Sequence, residues 1–213
     1  MDIDKLVEGI GKFQKKDFSK HKNEYINLVK NGQNPKALFI GCSDSRVAPN
    51  IITNSKAGDL FMHRNVGNFV SPFGSDVGTE IASTIEYAVN ELNLSNIIVC
   101  GHSHCGAIHA LNHIESLDSN NMPNLIQWLK NGNRVKEIVE NISIKKQLNQ
   151  EEKLKYMEKI SVIFSLQNLL TYPYVCEKVI QGSLKIVGWY YTIETGEIEQ
   201  FNEEDSRFYA IDA

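Results

Sequence analysis

The sequence predicts an α/β protein with a central, mostly parallel β-sheet, of about four parallel strands and one antiparallel edge strand, flanked by helices and preceded by an N-terminal helical extension. Two observations predict this fold. Short, fully apolar runs at 37–40 and 97–99 suit strands that are buried on both faces of a sheet. Segments with helical periodicity alternate with such runs, which is typical of parallel strands joined by helical crossovers.

The individual elements follow from helical periodicity and from short apolar runs in the sequence. In the first helical region, for example, Leu6, Ile10 and Phe13 share one face. We expect residues 118–124, which contain Pro123, to form a loop, and the charged stretch 145–159 to form a solvated helix face. The predicted strands are 36–41, 59–64, 96–101, 184–193 and 198–201, and helices are predicted over 1–30 (one or two), from a cap at Ser75 or Asp76 to residue 92, from Gly106 onward, and around 135–142 and 156–167.

Length and composition indicate one globular domain, 1–213, in which residues 1–33 form an N-terminal helical arm. The formal net charge of −4 gives no reason to expect binding to nucleic acid or to an acidic membrane surface. The apolar runs are far shorter than the roughly 20 residues that cross a bilayer, and the first residues lack a signal core, so we expect a cytoplasmic protein. Four cysteines in a chain of 213 residues favour metal ligation or burial over a disulfide framework.

Two polar segments follow predicted apolar strands directly. They are Cys42–Arg46 (CSDSR) and His102–Gly106 (HSHCG). Ligands of open α/β sheets gather at the carboxyl ends of strands, so we expect both segments to lie at one site. Cys42, His102 and Cys105 would supply two thiolates and one imidazole, which suits one tetrahedral Zn²⁺ per chain. Three protein ligands with an open fourth position are the catalytic pattern.

Asp44 leaves the state of that fourth position open. It lies two residues after Cys42, so in an extended segment both side chains point the same way. Asp44 can therefore close the site as a fourth ligand, or it can pair with Arg46 and leave the position to water. Pairing would keep Asp44 ionised. Two thiolates and a neutral imidazole cancel the charge of Zn²⁺, so we expect weak acidification of water and activity that increases as pH rises above neutral.

Other histidines offer alternative ligands. His104 could replace His102 as a ligand. However, His104 is adjacent to Cys105, and adjacent side chains diverge, so the pair of His102 and Cys105 has the better geometry. His109 and His113 lie four residues apart on a predicted helix and could bind a second metal. We interpret these two as surface histidines.

Together, the motifs resemble those of the β-class carbonic anhydrases, over nearly the whole chain. The resemblance implies reversible hydration of CO₂ to bicarbonate and a proton by zinc-bound hydroxide. It assigns the zinc ligands to Cys42, His102 and Cys105, the catalytic dyad to Asp44 and Arg46, and a substrate hydrogen bond to the backbone N–H of Gly106. Further matching segments are 63–68 (HRNVGN), 85–89 (IEYAV) and 188–191 (GWYY).

The resemblance also implies a homo-oligomer, a dimer or a tetramer, in which the arm of residues 1–33 embraces the partner near the active site. Some members are closed by bicarbonate bound in a second pocket of Trp, Arg and Tyr. Here Phe39 stands at the Trp position, beside Arg64 and Tyr191, so bicarbonate gating is not expected.

Three other functions compete with CO₂ hydration. The same zinc site could hydrolyse carbon disulfide, or it could be a structural zinc in a binding module without catalysis. A thiol-dependent phosphatase or redox enzyme would use Cys42 as nucleophile, but no Cys-x-x-Cys dithiol is present for redox chemistry. Arg46 follows Cys42 more closely than the Cys-x5-Arg spacing of such phosphatases requires, and Asp44 puts an anion where phosphate would lie.

Overall fold

A computed structural model describes residues 2–211 of the chain. Among these residues, no helix is both long enough and apolar enough to cross a membrane. The strands are β1 (Ala37–Cys42), β2 (Leu60–Asn65), β3 (Asn96–His102), β4 (Lys185–Tyr191), β5 (Ile198–Asn202) and β6 (Arg207–Ala210). The helices are α1 (Ile3–Lys12), α2 (Phe18–Asn31), α3 (Pro49–Ile52), α4 (Thr79–Glu86), α5 (Gly106–Asn112), α6 (Pro123–Leu129), α7 (Asn133–Lys146), α8 (Gln150–Leu169) and α9 (Pro173–Ile180).

In the described part of the chain, the strands form one six-stranded sheet in the order β2-β1-β3-β4-β5-β6. The pairs β1·β2, β1·β3 and β3·β4 are parallel, and β4·β5 and β5·β6 are antiparallel. The predicted fold class is therefore confirmed. The antiparallel edge has two strands rather than one, because the chain turns back after β5 to form the short strand β6, whose four residues follow a charged turn.

The central strands are buried as their composition predicted. Every residue of β1 is buried, and so is every residue of β3 after Asn96. One face of the sheet packs against α4, α8 and α9, and a second core forms around α5, α6 and α7 beside the carboxyl ends of β1 and β3. The chemistry-bearing segments thus leave the sheet next to this second core.

Helix α8 lies unusually close to β3 and β4. A Cβ atom added to Gly101 would lie 2.6 Å from the side chain of Val162, and one added to Gly188 would lie 2.8 Å from the same residue. Only glycine leaves room for this approach. The N-terminal half of α8 is thereby brought beside the end of β3.

Two predicted boundaries were wrong. Helix α4 begins at Thr79 after Gly78, which has φ +89°, and neither Ser75 nor Asp76 caps it. Its path continues through a π-helical turn at Tyr87–Glu91. Pro123 begins α6 instead of lying within a loop, as suits a residue whose fixed φ fits the first turn of a helix.

The N-terminal arm consists of α1 and α2, joined by a π-helical turn, and neither helix contains a buried residue. The arm touches the domain through Leu28, whose side chain covers Gly58, and through an ion pair between Lys56 and Glu24 at 3.6 Å. Its apolar stripe remains exposed. The stripe consists of Ile3 (66% exposed), Leu6 (48%), Val7 (58%), Ile10 (56%) and Phe13 (44%).

Candidate metal centre

The two polar segments meet because their strands are neighbours. β1 and β3 are parallel, with Gly41 opposite Cys100, so both chains leave the sheet at the same edge. Cys42 is the last residue of β1 and His102 the last of β3. Three residues after His102, Cys105 is the N-cap of α5. The sheet therefore assembles the site that the spacing predicted.

The ligand atoms of Cys42, His102 and Cys105 all lie within 4.8 Å of one another, and all three side chains are buried. The two sulfurs are 4.0 Å apart, about twice the length of a disulfide bond, and both cysteines are free. Two sulfurs and a nitrogen at this spacing form a pocket of the size and softness that a small transition-metal ion requires.

His102 presents a free nitrogen to the sulfurs. Its Nδ1 lies 2.8 Å from the carbonyl oxygen of Ser103, and because a carbonyl only accepts, Nδ1 carries the proton. In the neutral imidazole, Nε2 is then the unprotonated nitrogen. It is buried and has no hydrogen-bond partner among the described residues. Leaving a buried acceptor without a partner is unfavourable, and a metal ion would satisfy it.

Cys42 is surrounded by donors that favour the thiolate. Its Sγ accepts backbone N–H groups from Asp44 and Gly67, each at 3.4 Å. The hydrogen bond from Cys105 lowers the pKa of Cys42, and the same contact, together with burial, raises the pKa of Cys105. The pair thus holds one thiolate and one thiol near neutral pH, ready to lose the second proton to a cation.

Asp44 is bound to Arg46. The Arg46 side chain donates from Nε to Oδ1 at 2.9 Å and from Nη2 to Oδ2 at 2.8 Å. These hydrogen bonds hold the pKa of Asp44 well below its usual range. Asp44 is not a member of the ligand cluster found among residues 2–211. Of the two arrangements open to the sequence, the structure has the ion pair.

Gly106 opens the site on one side. It is the first residue of α5, so its N–H has no intrahelical acceptor. A Cβ added to it would meet no atom within 4 Å. A small molecule can therefore approach this N–H beside Cys105.

His104, weighed above as an alternative ligand, points away from the cluster. It has φ +54°, and its ring is exposed and bonds to the carboxylate of Glu194. Glu194 also accepts from the Ser103 hydroxyl at 2.7 Å, so the turn after β4 holds this loop from outside. His109 and His113 are exposed, with rings 5.1 Å apart, as surface histidines.

Arg64, which lies outside the two polar segments, also holds the site. Arg64 donates to the carbonyl oxygens of Cys42 at 2.9 Å and Asp44 at 2.7 Å, so its guanidinium fixes the loop after β1. Phe39 is fully buried, with its ring edge-on to Trp189 at 6.4 Å.

Glu158 corrects the expectation for the charged stretch 145–159. It is only 5% exposed, and its Oε1 accepts the backbone N–H of Cys105 at 3.0 Å. Burial raises its pKa, while the hydrogen bonds from Tyr190 and Cys105 oppose this rise. Its spacing of four residues from Leu154 and Val162 places it on an apolar face of α8, and its burial depends on how closely that face approaches the sheet.

Fold and site together define a class of protein: an α/β protein with a Cys-His-Cys cluster, able to hold a metal ion, at the carboxyl edge of a parallel sheet. The profile of the carbonic anhydrase family matches residues 37–198. Carbonic anhydrase of Synechococcus elongatus is 39% identical over 98% of this chain and 75% of its own length. That of Synechocystis is 41% identical over 92% of this chain and 70% of its own length.

Solved structures of β-carbonic anhydrases are similar to this chain over almost all of its length. The β-carbonic anhydrase CcaA superimposes with a TM-score of 0.92 at 38% identity, over 99% of this chain and 92% of that one. A tetrameric β-carbonic anhydrase of the ascomycete Sordaria macrospora gives a TM-score of 0.80 at 26% identity, over 93% of this chain and 95% of that one. The chain belongs to the β-carbonic anhydrase family.

Proposed function

We propose that this chain holds one Zn²⁺ at Cys42, His102 and Cys105 and catalyses the reversible hydration of CO₂ to bicarbonate and a proton. The observation that carries the proposal is the buried Nε2 of His102, which has no hydrogen-bond partner within residues 2–211 and faces two sulfurs at ligand spacing. A donor set of two thiolates and one imidazole suits zinc in tetrahedral geometry. When bound, zinc supplies Lewis acidity, which makes a nucleophile from water near neutral pH.

Asp44 and Arg46 prepare the open side of the centre. Because Arg46 engages both carboxylate oxygens, Asp44 stays ionised and is kept off the ligand cluster. An ionised carboxylate only accepts hydrogen bonds, so it selects a protonated oxygen, that of a water molecule or of bicarbonate, and orients it. The free N–H of Gly106 supplies a donor for the developing anion, in space that no side chain fills.

The competing functions fit these contacts less well. A structural zinc site has four protein ligands, whereas the cluster found among residues 2–211 has three. A phosphatase needs a free arginine to cradle phosphate, but Arg46 is bound to Asp44 and to the carbonyl oxygen of His104. Hydrolysis of carbon disulfide would use the same centre, so it is compared directly in the test.

The decisive experiment is stopped-flow CO₂ hydration with zinc-loaded and chelator-stripped protein, together with metal analysis. We expect about one zinc per chain, fast hydration by the loaded form, its loss after stripping and its return when zinc is restored. Carbon disulfide is assayed in parallel. Full activity of the stripped protein, or hydrolysis of carbon disulfide without CO₂ hydration, would refute the proposal.

We also propose that the chain is a single domain whose arm, residues 1–33, packs against a second copy. The apolar stripe of α1 is exposed over several turns, and such a contiguous patch indicates an interface. Multi-angle light scattering should give a dimer or a tetramer for the wild type and smaller species for the double variant Leu6→Asp/Ile10→Asp. Ile180→Asp, at an apolar position outside the arm that is 81% exposed, is the control. An unchanged mass for the double variant would contradict this role of the arm. The cytoplasmic location stays a prediction.

A further inference from the structure

A buried carboxylate lies directly behind the candidate metal centre. Glu158 of α8 is 5% exposed, and each of its oxygens has one donor. Oε1 accepts the backbone N–H of Cys105 at 3.0 Å, and Oε2 accepts the hydroxyl of Tyr190 at 2.7 Å. Burying a carboxylate is costly, and it persists only where donors compensate. These two hydrogen bonds therefore compensate the cost of burying Glu158, and they connect it to Cys105 and Tyr190.

The three candidate ligands are fixed in different ways. The imidazole of His102 is oriented by its own bond to the carbonyl of Ser103. The sulfur of Cys42 accepts two backbone N–H groups. Cys105 is the N-cap of α5, and its backbone N–H lies outside the hydrogen bonds of the helix. Glu158 takes up this N–H, so it fixes the backbone from which the Cys105 sulfur projects.

The close packing of α8 makes this contact possible. Gly101 and Gly188 leave no side chain between the sheet and Val162, which is one turn after Glu158. Tyr190, on β4, is 1% exposed and donates to the carboxylate from the side of the sheet. The carboxylate is thus held between a helix, a strand and the ligand loop, and it cannot turn away without leaving two donors unpaired.

We propose that Glu158 is a positioning residue for the metal ligand Cys105, and that Tyr190 holds Glu158 in the orientation this requires. The inference rests on the proposed zinc centre. It assigns a role in metal affinity and geometry to two residues outside the ligand cluster found among residues 2–211. The hydrogen bond to the Cys105 amide, rather than the charge of the carboxylate, is the feature that acts.

The test compares Glu158→Ala with Glu158→Gln. Zinc affinity is measured by competition with a chromophoric chelator, after circular dichroism has confirmed that each metal-free variant is folded. Loss of a hydrogen bond that orients a ligand weakens metal binding by about 10- to 100-fold, and we expect this for Glu158→Ala. Glutamine can accept from the Cys105 N–H and donate to the Tyr190 hydroxyl, so we expect Glu158→Gln to restore affinity close to that of the wild type.

A matched pair of tyrosine variants separates positioning from general stability. Tyr190→Phe removes the hydroxyl that bonds to Glu158, and Tyr172→Phe removes an equally buried hydroxyl that bonds to the carbonyl of Ser71 at 2.9 Å. With Co²⁺ as a probe, thiolate-to-metal charge-transfer bands report the geometry at sulfur. We expect Tyr190→Phe and Glu158→Ala to shift these bands, and Tyr172→Phe to leave them unchanged. Tyr190→Phe keeps the test decisive if Glu158→Ala does not fold.

The outcomes separate this inference from the proposed function. Wild-type protein without stoichiometric metal would contradict the centre itself and the inference with it. Wild type that binds zinc, with Glu158→Ala and Tyr190→Phe binding equally well and with unshifted bands, would overturn the inference alone. Equal weakening by Glu158→Gln and Glu158→Ala would also overturn it, because charge and not the hydrogen bond would then be responsible.

Discussion

Arg46 grips Asp44 through two parallel hydrogen bonds, Nε to Oδ1 at 2.9 Å and Nη2 to Oδ2 at 2.8 Å. The same Nη2 reaches the carbonyl oxygen of His104 at 3.0 Å, so one guanidinium joins the loop after β1 to the loop after β3. Bidentate pairing fixes direction as well as charge. The dyad therefore sets both the ionisation of Asp44 and the spacing of the two halves of the site.

The dyad is tested by Asp44→Asn and Arg46→Ala. Neither residue belongs to the ligand cluster, so we expect both variants to keep zinc. We expect CO₂ hydration to fall by about 10²- to 10⁴-fold, the usual contribution of a positioned proton-handling group. Stopped-flow rates and metal content are measured together. Arg134→Ala, which breaks an exposed ion pair with Glu137, is the control and should match the wild type. Full turnover by either dyad variant would refute the role assigned to it.

The ligand set is tested by Cys42→Ser. The substitution replaces a soft thiolate by a serine hydroxyl, which is a poor zinc ligand. We therefore expect less than stoichiometric zinc after dialysis. Cys176→Ser is the matched control, since Cys176 is a free cysteine outside the cluster. Elemental analysis of both variants decides the matter. If Cys42→Ser retained zinc as the wild type does, the proposed coordination would be wrong.

Zinc affinity should increase with pH. The contact with Cys42 and burial raise the pKa of Cys105, so below that pKa a bound cation must displace a proton. The dissociation constant should therefore fall as pH rises from about 6 to about 9, with proton release seen by calorimetry in buffers of different ionisation enthalpy. A dissociation constant independent of pH, with no proton release, would contradict the thiol state assigned to Cys105.

The activity profile should increase as pH rises above neutral. Two thiolates and a neutral imidazole cancel the charge of Zn²⁺, so water is acidified less than in a site of three histidines. Asp44 adds no step to the profile. Arg46 depresses its folded-state pKa, so its contribution to stability is complete above the unfolded value of about 4 and is lost only as pH falls below it. Flat activity from about pH 6 to about pH 9 would contradict the expectation.

The substitution Gly67→Ala tests how tightly the backbone beside Cys42 is packed. Gly67 has φ +92°, and an added Cβ would lie 2.8 Å from the Phe69 ring and 2.9 Å from the Ala107 side chain. We expect Gly67→Ala to lower the free energy of unfolding by about 1–3 kcal/mol. We also expect weaker zinc binding, because relief of the clash would displace the residue 67 N–H that bonds to Cys42. Gly74→Ala is matched in φ (+77°) but meets no atom within 4 Å. Equal losses in urea titrations of both variants would show that backbone strain alone accounts for the effect.

The fold class and the three residues of the candidate metal cluster could be predicted from the sequence alone. Cys42, His102 and Cys105 directly follow strands recognisable from their apolar runs, and parallel strands deliver the residues after them to a single edge. The predicted pairing of these parallel strands therefore sufficed to bring the three residues together. The same reasoning gave Asp44 two possible partners, the metal and Arg46, and left the choice open.

The folded structure was needed to establish which nitrogen of His102 is free, which partner Asp44 takes and which charged residue of α8 is buried. The first two outcomes depend on which local hydrogen bonds the folded loops form, His102 with Ser103 and Asp44 with Arg46. The third depends on contacts between residues far apart in the chain. Glu158 lies within a charged stretch, and its burial follows from the absence of side chains at Gly101 and Gly188. Periodicity along a helix shows which residues share a face, but the distance between that face and a sheet is set by the sheet.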